Sequence, residues 1–229
     1  MERNRRSVKR TRSYDSTGRL AQAVRNRKAM LDAAARLFLD RGYAATTIAA
    51  VAAAANVSVE TIYKAFGGKG GLVRGLRDRG LAGEGPIPAE QRSDRMRVTE
   101  RDPRKIIANW GALTTEVAPR VSPILLLVQA AAASDAEMAK LLAEMDADRL
   151  RRMTVNARHL HDAGHLRRGV TLEFAIDVLW TYSSAELYEL LVLRRGWPLD
   201  RYGRFVADAM IAALLPLAAR RPSDRQRTV

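Results

Sequence analysis

Apolar residues recur every three or four positions along almost the whole sequence, which places them on one face of an α-helix. The first segment with this spacing covers residues 19–41 and is expected to end at Gly42. The alternating pattern of strands is scarce, and the aromatic residues that strands favour make up only 6% of the chain. The sequence therefore predicts an all-α protein.

Two short helices separated by a tight turn are predicted next. Thr47 can cap the first helix, which carries Val51 and Ala52 at helical spacing. Ser58 can cap the second, which ends before Gly67. Between the two helices, Asn56 can adopt the left-handed conformation that a sharp turn requires. This spacing predicts a helix–turn–helix unit.

Residues 83–102 interrupt the helical pattern with glycine, two prolines and many charges. We expect a loop or linker here, and with it a domain boundary. Residues 67–82 before it are predicted to form a connecting helix. After it, further helices are predicted to start at Pro103, at Ser122, at Ser134 or Asp135, at Thr171 (over residues 171–195) and at Pro198.

Positive charge is concentrated at the N-terminus. The chain carries +14 in total, of which residues 1–28 contribute +8 and the other 201 residues +6. A basic N-terminal arm followed by a chain of nearly balanced charge indicates a polyanionic binding partner, either nucleic acid or an anionic membrane. A disordered solubilising tail is the alternative, and charge alone does not separate these possibilities.

Composition and motifs argue against an enzyme. The chain has no cysteine, which excludes disulfides, thiol catalysis and cysteine-ligated metals. It shows no Ser/His/Asp grouping, phosphate-binding glycine loop or paired-carboxylate motif, and no cofactor is expected. His159, His161 and His165 do not form a convincing metal site, because Gly164 breaks their helix. Apolar stretches of only about ten residues predict a cytoplasmic protein without a membrane span.

The predicted helix–turn–helix has the form of a DNA-reading unit. The major groove presents a distinct pattern of donors and acceptors, and it admits one helix with its first turns on the base edges. The side chains that the second helix is expected to expose are Val59, Glu60, Thr61, Tyr63 and Lys64. An ordinary helical hairpin is the alternative from this pattern alone.

Residues 27–73 resemble the TetR family of transcriptional regulators. The matching positions are Ala33, Ala34, Leu37, Phe38, Gly42, Tyr43, Thr46, Thr47, Val51, Ala52, Ala55, Val57, Ser58, Ile62, Tyr63, Phe66, Lys69 and Leu72. The sequence departs from the family at Asn56, where glycine is usual, at Ala65, where many members have His or Tyr, and at Gly70, which is often Glu. The second half is also similar to one TetR subgroup, at residues 164–169 and at Asp177, Leu179, Trp180, Glu186, Leu187, Tyr188, Arg195, Gly196 and Trp197.

The resemblance implies roles for individual residues on DNA. Thr47, Tyr63 and Lys69 match phosphate contacts. The positions that contact base edges in the family are occupied here by Val59, Glu60, Thr61 and Lys64. Ser58, at the start of the same helix, is also expected to contact DNA. The arm can enter the adjacent minor groove through Arg5, Arg6, Arg10 and Arg12, with non-specific attraction to the backbone as the alternative.

The resemblance also implies a small-molecule effector and a homodimer. The residues expected to line the effector pocket are Trp110, Leu127, Gln129, Met145, Arg149, Met153 and Trp180. The predicted helix over residues 171–195 is apolar nearly all round, so it must be buried on more than one side. Together with the last helix it predicts a dimer interface at Leu187, Tyr188, Leu191, Tyr202, Val206 and Met210.

The expected organisation is a three-helix DNA-binding domain followed by a helical-bundle regulatory domain. It comprises an arm at 1–16, the helix–turn–helix domain at 17–66, the connecting helix at 67–82, the linker at 83–102, the regulatory domain at 103–220 and a tail at 221–229. The expected function is that of a ligand-responsive repressor that binds a palindromic operator as a dimer. The alternative is a helical protein that binds RNA or an anionic membrane through its arm.

Overall fold

The computed structural model describes residues 16–217, and every regular element within that range is helical, which confirms the all-α prediction. The helices are α1 (Ser16–Ala45), α2 (Ile48–Ala55), α3 (Val59–Phe66), α4 (Lys69–Ala82), α5 (Ala89–Thr99), α6 (Pro103–Ala132), α7 (Ala136–Asp162), α8 (Leu172–Tyr182), α9 (Ala185–Tyr188) with a π-helical continuation over Glu189–Arg194, and α10 (Leu199–Leu214).

The first three helices follow the sequence closely. Gly42 breaks the helical backbone of α1 with φ of 81° and ψ of 167°, and helical residues resume for three positions beyond it. Thr47 caps α2, Asn56 ends it in the left-handed region at φ 52° and ψ 49°, and Ser58 caps α3. The predicted helix–turn–helix is therefore confirmed.

The linker prediction for residues 83–102 is wrong, because α5 occupies Ala89–Thr99. Ala89 and Ser93, one helical turn apart, are buried. Ion pairs attach the rest of α5 to other helices. Arg92 pairs with Glu116 of α6 at 2.5 Å, and Asp94 accepts a hydrogen bond from Arg152 of α7 at 2.7 Å. The segment looked like a loop because ion pairs with distant helices, rather than an apolar stripe, position it.

Helix α6 is continuous over Pro103–Ala132, so the prediction of a separate helix starting at Ser122 is also wrong. Pro119 and Pro123 lie inside the helix, and each removes one backbone donor without ending it. Burial at both ends supports the continuity, since Ile106 near one end and Val128 near the other are fully buried. Within residues 16–217, α6 is the one helix long and apolar enough to cross a membrane by length and composition, and it packs against α4, α7 and α10.

The helix predicted over residues 171–195 is broken. Helix α8 ends at Tyr182, and Ser184 then caps α9 by accepting a hydrogen bond from the backbone N–H of Leu187 at 3.2 Å. The chain continues in π-helical form to Arg194. The two adjacent serines were the signal for this break, since a serine hydroxyl competes for backbone donors within a helix.

Two apolar cores organise these helices. The first joins α1–α4 to the adjoining ends of α6 and α7, and Phe38, Ile62, Leu72 and Met138 lie in it. This core contains residues of α3, α6 and α7, so it packs the helix–turn–helix against the later helices.

The second core lies between α6, α7, α8, α9 and α10. Tyr188, Tyr202, Val206 and Met210, predicted at the dimer interface, are instead buried in this core within a single chain, whereas Leu187 and Leu191 are only partly buried against it and stay a prediction. Helical spacing identified these residues as buried but could not say whether their partners lie on the same chain or on another.

Candidate nucleic-acid interface and ligand cavity

Helix α3 is held rigidly at its first turn. The Ser58 hydroxyl oxygen accepts a hydrogen bond from the backbone N–H of Thr61 at 3.1 Å, and the Ser58 and Thr61 hydroxyls are 2.8 Å apart. Ile62 is fully buried beneath the helix, in the first core. The cap and this anchor leave the opposite face of α3 free to meet another molecule.

The surface of α3 carries four of the five side chains that this helix was expected to expose. Val59 is 41% exposed and Tyr63 54% exposed, and Glu60 and Lys64 are exposed beside them. Thr61 is partly buried, and its hydroxyl lies within hydrogen-bond distance of that of Ser58. Two large apolar side chains on an otherwise polar helix face suit contact with base edges and sugars, including the thymine methyl group.

Of the three predicted phosphate contacts, Tyr63 lies on the exposed face of α3, and Thr47 and Lys69 lie at the starts of α2 and α4. Thr47 accepts a hydrogen bond from the backbone N–H of Ala50 at 3.1 Å, which caps α2 and leaves the residue at the surface. Lys69 begins α4, and its Nζ lies 4.0 Å from the centre of the Tyr43 ring and donates to the backbone oxygen of Ala44 at 3.4 Å. These contacts point the ammonium toward the end of α1.

Burial lowers the pKa of the Lys69 ammonium, and the carboxylates of Asp135 and Glu137 oppose that effect. Burial, with the same two carboxylates, raises the pKa of Tyr43 to about 12. Gly70 follows Lys69, and a Cβ at that position would collide with the Glu137 carboxylate. The glycine therefore makes room for a carboxylate supplied by α7.

Thr46 and Arg27 support this surface but were not singled out as site residues from the sequence. Thr46 is 1% exposed, and its hydroxyl lies 3.0 Å from the backbone oxygen of Leu37 and 2.9 Å from that of Gly42, which ties the end of α1 to the start of α2. Arg27 places its guanidinium 4.4 Å from the centre of the Phe66 ring and donates to the backbone oxygen of Ala65 at 3.4 Å. No local pattern signals this contact between residues 38 apart in sequence. The predicted arm contacts Arg5, Arg6, Arg10 and Arg12 lie outside the described residues.

A cavity of about 770 Å³ opens between α4, α5, α6, α7, α8 and α10. Trp110, Met145, Arg149 and Met153, all predicted as ligand contacts, line it. The other three predicted contacts do not. Leu127 packs against the first core, Gln129 donates a hydrogen bond to Glu186, and Trp180 lies against Arg149.

Arg149 is the most heavily engaged charge of the cavity wall. Its guanidinium carbon lies 3.4 Å from the centre of the Trp180 ring, and Nη1 donates to the backbone oxygen of Trp180 at 2.7 Å. Asp146 is 3.6 Å away. Burial lowers the pKa of Arg149, and Asp146 and Glu186 oppose that shift. Trp180 thus contributes by holding Arg149 in place. Among residues 16–217, no group of three or more His, Asp or Glu side chains is placed to hold a metal ion.

A capped helix–turn–helix with an exposed reading face, joined to a helical bundle that contains a cavity, defines a DNA-binding regulator. Residues 30–76 match the family described as bacterial regulatory proteins, tetR family. The uncharacterized HTH-type transcriptional regulator YvkB of Bacillus subtilis (strain 168) is 40% identical over 67 residues, which are 29% of this chain and 35% of that protein. The match thus spans about a third of that relative.

Solved structures extend the likeness to the whole fold. SmeT in complex with triclosan, the repressor from Stenotrophomonas maltophilia, superposes with a TM-score of 0.65 at 22% identity over 83% of this chain and 92% of that one. NalD of Pseudomonas aeruginosa gives 0.65 at 18% identity over 85% and 98%. Residues 30–76 of this chain thus resemble the tetR family of bacterial regulatory proteins, and residues 16–217 share the fold of SmeT and NalD.

Proposed function

We propose that this protein is a sequence-specific transcriptional repressor that binds a palindromic operator as a homodimer and loses affinity for it when a small molecule occupies the cavity. The observation that carries the proposal is the geometry of α3. Its N-terminus is capped by Ser58, its inner face is fixed by Ile62, and its outer face exposes Val59, Glu60, Tyr63 and Lys64. Such a helix can enter the major groove without losing packing.

A different apolar surface from the one predicted supports dimerisation. Leu190 and Leu193 of the π-helical segment are 52% and 54% exposed, and Phe205 on α10 is 37% exposed. Phe205 meets the Trp197 ring edge-on at 5.5 Å. Large apolar side chains grouped on adjacent segments favour burial against a second copy of the same surface. A two-fold pair would set two α3 helices about 34–36 Å apart, one turn of DNA.

The position of the cavity supports a response to a ligand. Arg77, Leu81 and Ala82 of α4 contribute to its wall, and α4 begins at Lys69 beside the DNA-facing surface. A ligand that favours one position of α4 changes DNA affinity by its difference in affinity for the two states. SmeT and NalD are described as repressors of multidrug efflux pumps, and SmeT is described in complex with triclosan, which supports repression and an apolar effector here.

A mobility-shift titration tests the proposal. The full chain is titrated onto the DNA that flanks its gene, with a scrambled fragment of equal composition as competitor, at about 0.15 M salt. We expect a complex that survives a large excess of scrambled DNA, with a footprint of two half-sites. If RNA or anionic vesicles compete as well as the flanking DNA does, the alternative function through the basic arm replaces this one.

A further inference from the structure

We infer that Arg27 is a positioning residue, which sets the orientation of α3 on DNA by holding Phe66 at the C-terminal end of that helix. The inference rests on the proposed function, since it concerns how the same helix discriminates between DNA sequences. It depends on three observations: the contacts that Arg27 makes with α3, the packing of the Phe66 ring against α4, and the place of Phe66 on α3.

Arg27 makes two contacts with the last turn of α3. Its guanidinium carbon lies 4.4 Å from the centre of the Phe66 ring, within the range of a cation–π interaction. Its Nη1 also donates to the backbone oxygen of Ala65 at 3.4 Å. Backbone oxygens in the last turn of a helix have no partner within that helix, and a positive charge near them is favourable. The two contacts therefore tie the C-terminal end of α3 to α1.

The Phe66 ring also packs against α4. A Cβ added at Gly75 would come within 2.9 Å of Cε1 of Phe66 and within 3.0 Å of Cδ2 of Leu31, so both side chains lie close to the backbone of α4. Leu31 is 5% exposed and follows Arg27 by about one helical turn, so α1 presents both residues on one face. Phe66 is thus held by α1 and α4 together.

These contacts fix the orientation of α3 because of where Phe66 lies on it. Phe66 follows Ile62 by about one turn, so the two share the inner face of the helix. Ile62 is fully buried and anchors the middle of α3, and Ser58 caps its start. If the C-terminal end were released, α3 would be free to tilt about Ile62, and the exposed Glu60 and Lys64 would move relative to the base edges. Base contacts require placement to within about 0.5 Å, whereas attraction to phosphates is independent of sequence.

A positioning role and a phosphate contact predict different losses of DNA binding. If Arg27 positions α3, its replacement weakens binding to the operator and leaves binding to unrelated DNA unchanged. A lost phosphate contact weakens both equally and reduces the slope of log affinity against log salt by about one unit. We expect Arg27→Ala to lower the ratio of operator affinity to scrambled-DNA affinity about three- to tenfold, with an unchanged salt slope.

Fluorescence anisotropy with the full chain measures this ratio. The probes are a duplex that the unaltered chain selects from a random library and a scrambled duplex of equal composition, each titrated over a salt series. Phe66→Leu should reproduce the loss without removing a charge. Arg27→Lys should not restore the ratio, because an ammonium lacks the planar guanidinium that suits contact with an aromatic ring. Arg25→Ala is the matched control and should leave the ratio unchanged, since Arg25 lies on the same helix and donates to Gln22 of that helix at 2.6 Å.

Three results would overturn the inference. Equal losses on both duplexes with a reduced salt slope would make Arg27 a phosphate contact. The full ratio in Arg27→Lys would mean that charge alone suffices. An unchanged ratio in Arg27→Ala, whatever its stability in urea, would leave Arg27 with a structural role only. If Phe66→Leu fails to fold, the variants of Arg27 decide, because Arg27 is an exposed residue. The proposed function is tested separately by the unaltered chain, which must itself prefer the selected duplex to the scrambled one.

Discussion

The ammonium of Lys69 lies 4.0 Å from the centre of the Tyr43 ring, and this contact joins the end of α1 to the start of α4. Asp135 and Glu137 at the start of α7 act on both groups through their charge. The regulatory bundle therefore contributes electrostatically to the residue expected to meet a DNA phosphate. A shift of α7 relative to α4 would change how strongly the ammonium is held by the protein rather than by DNA.

Replacing Lys69 by alanine should weaken specific and unrelated DNA about equally. The ammonium would neutralise one phosphate, so its loss should reduce the slope of log affinity against log salt by about one unit. Fluorescence anisotropy over a salt series measures this slope. Lys140→Ala, which removes an exposed lysine on α7, is the control and should leave the slope unchanged. Unchanged DNA binding by Lys69→Ala at low salt would remove Lys69 from the phosphate contacts.

Replacing Glu60 by alanine should change which operator variants are preferred. Its exposed carboxylate in the first turn of α3 can accept a hydrogen bond from a cytosine amine, and loss of one base contact costs about 1–3 kcal/mol at that position only. Competition among single-base operator variants measures the change. A uniform loss across every variant would mean that Glu60 reads no base.

Replacing Asn56 by alanine should destabilise the fold by about 1–2 kcal/mol, whereas Asn56→Gly should be nearly neutral. Asn56 adopts φ of 52°, a left-handed conformation that a Cβ disfavours and that asparagine and glycine tolerate. Urea denaturation of the three proteins measures the difference. Equal stability of the alanine and glycine variants would show that the turn relaxes out of this conformation.

Replacing Leu193 by glutamate should produce a folded monomer, because the charge falls in the exposed apolar surface assigned to the dimer. Val98→Glu is the control: Val98 is 81% exposed on α5, away from that surface. Val206→Ala should do the opposite, leaving the oligomeric state unchanged and lowering stability by about 1–3 kcal/mol, since Val206 is fully buried in one chain. Sedimentation velocity and denaturation separate the two effects. An unaltered dimer in Leu193→Glu would place the interface elsewhere.

Removing residues 1–15 should weaken DNA binding and hardly change the melting temperature. The removed segment carries six basic residues and ends before α1 begins at Ser16. If all six meet phosphates, the salt slope should flatten by up to about five units. A larger loss on operators with A·T flanks than with G·C flanks would indicate minor-groove reading. Undiminished affinity at physiological salt would show that the charge of the arm does not serve DNA binding.

The helix–turn–helix was predictable because hydrogen bonds between residues close in sequence form it. Thr47 and Ser58 cap the helices that follow them, and Asn56 turns the chain between them, through contacts within three or four residues. The sequence contains all the partners of such contacts. For the same reason the exposed face of α3 followed from helical spacing alone, as the burial of Ile62 opposite the exposed Glu60 and Lys64 confirms.

The sequence by itself determined the helical class, the caps of α2 and α3 and the face of α3 that meets solvent. Only the tertiary structure decided that residues 89–99 form a helix, that Tyr202 and Val206 lie within one chain, and which side chains surround the cavity. Arg152 reaches Asp94 across 58 positions of sequence, and Arg149 lies on Trp180 across 31. Helical periodicity states that a side chain is buried, but the identity of its partner depends on how helices distant in sequence pack together.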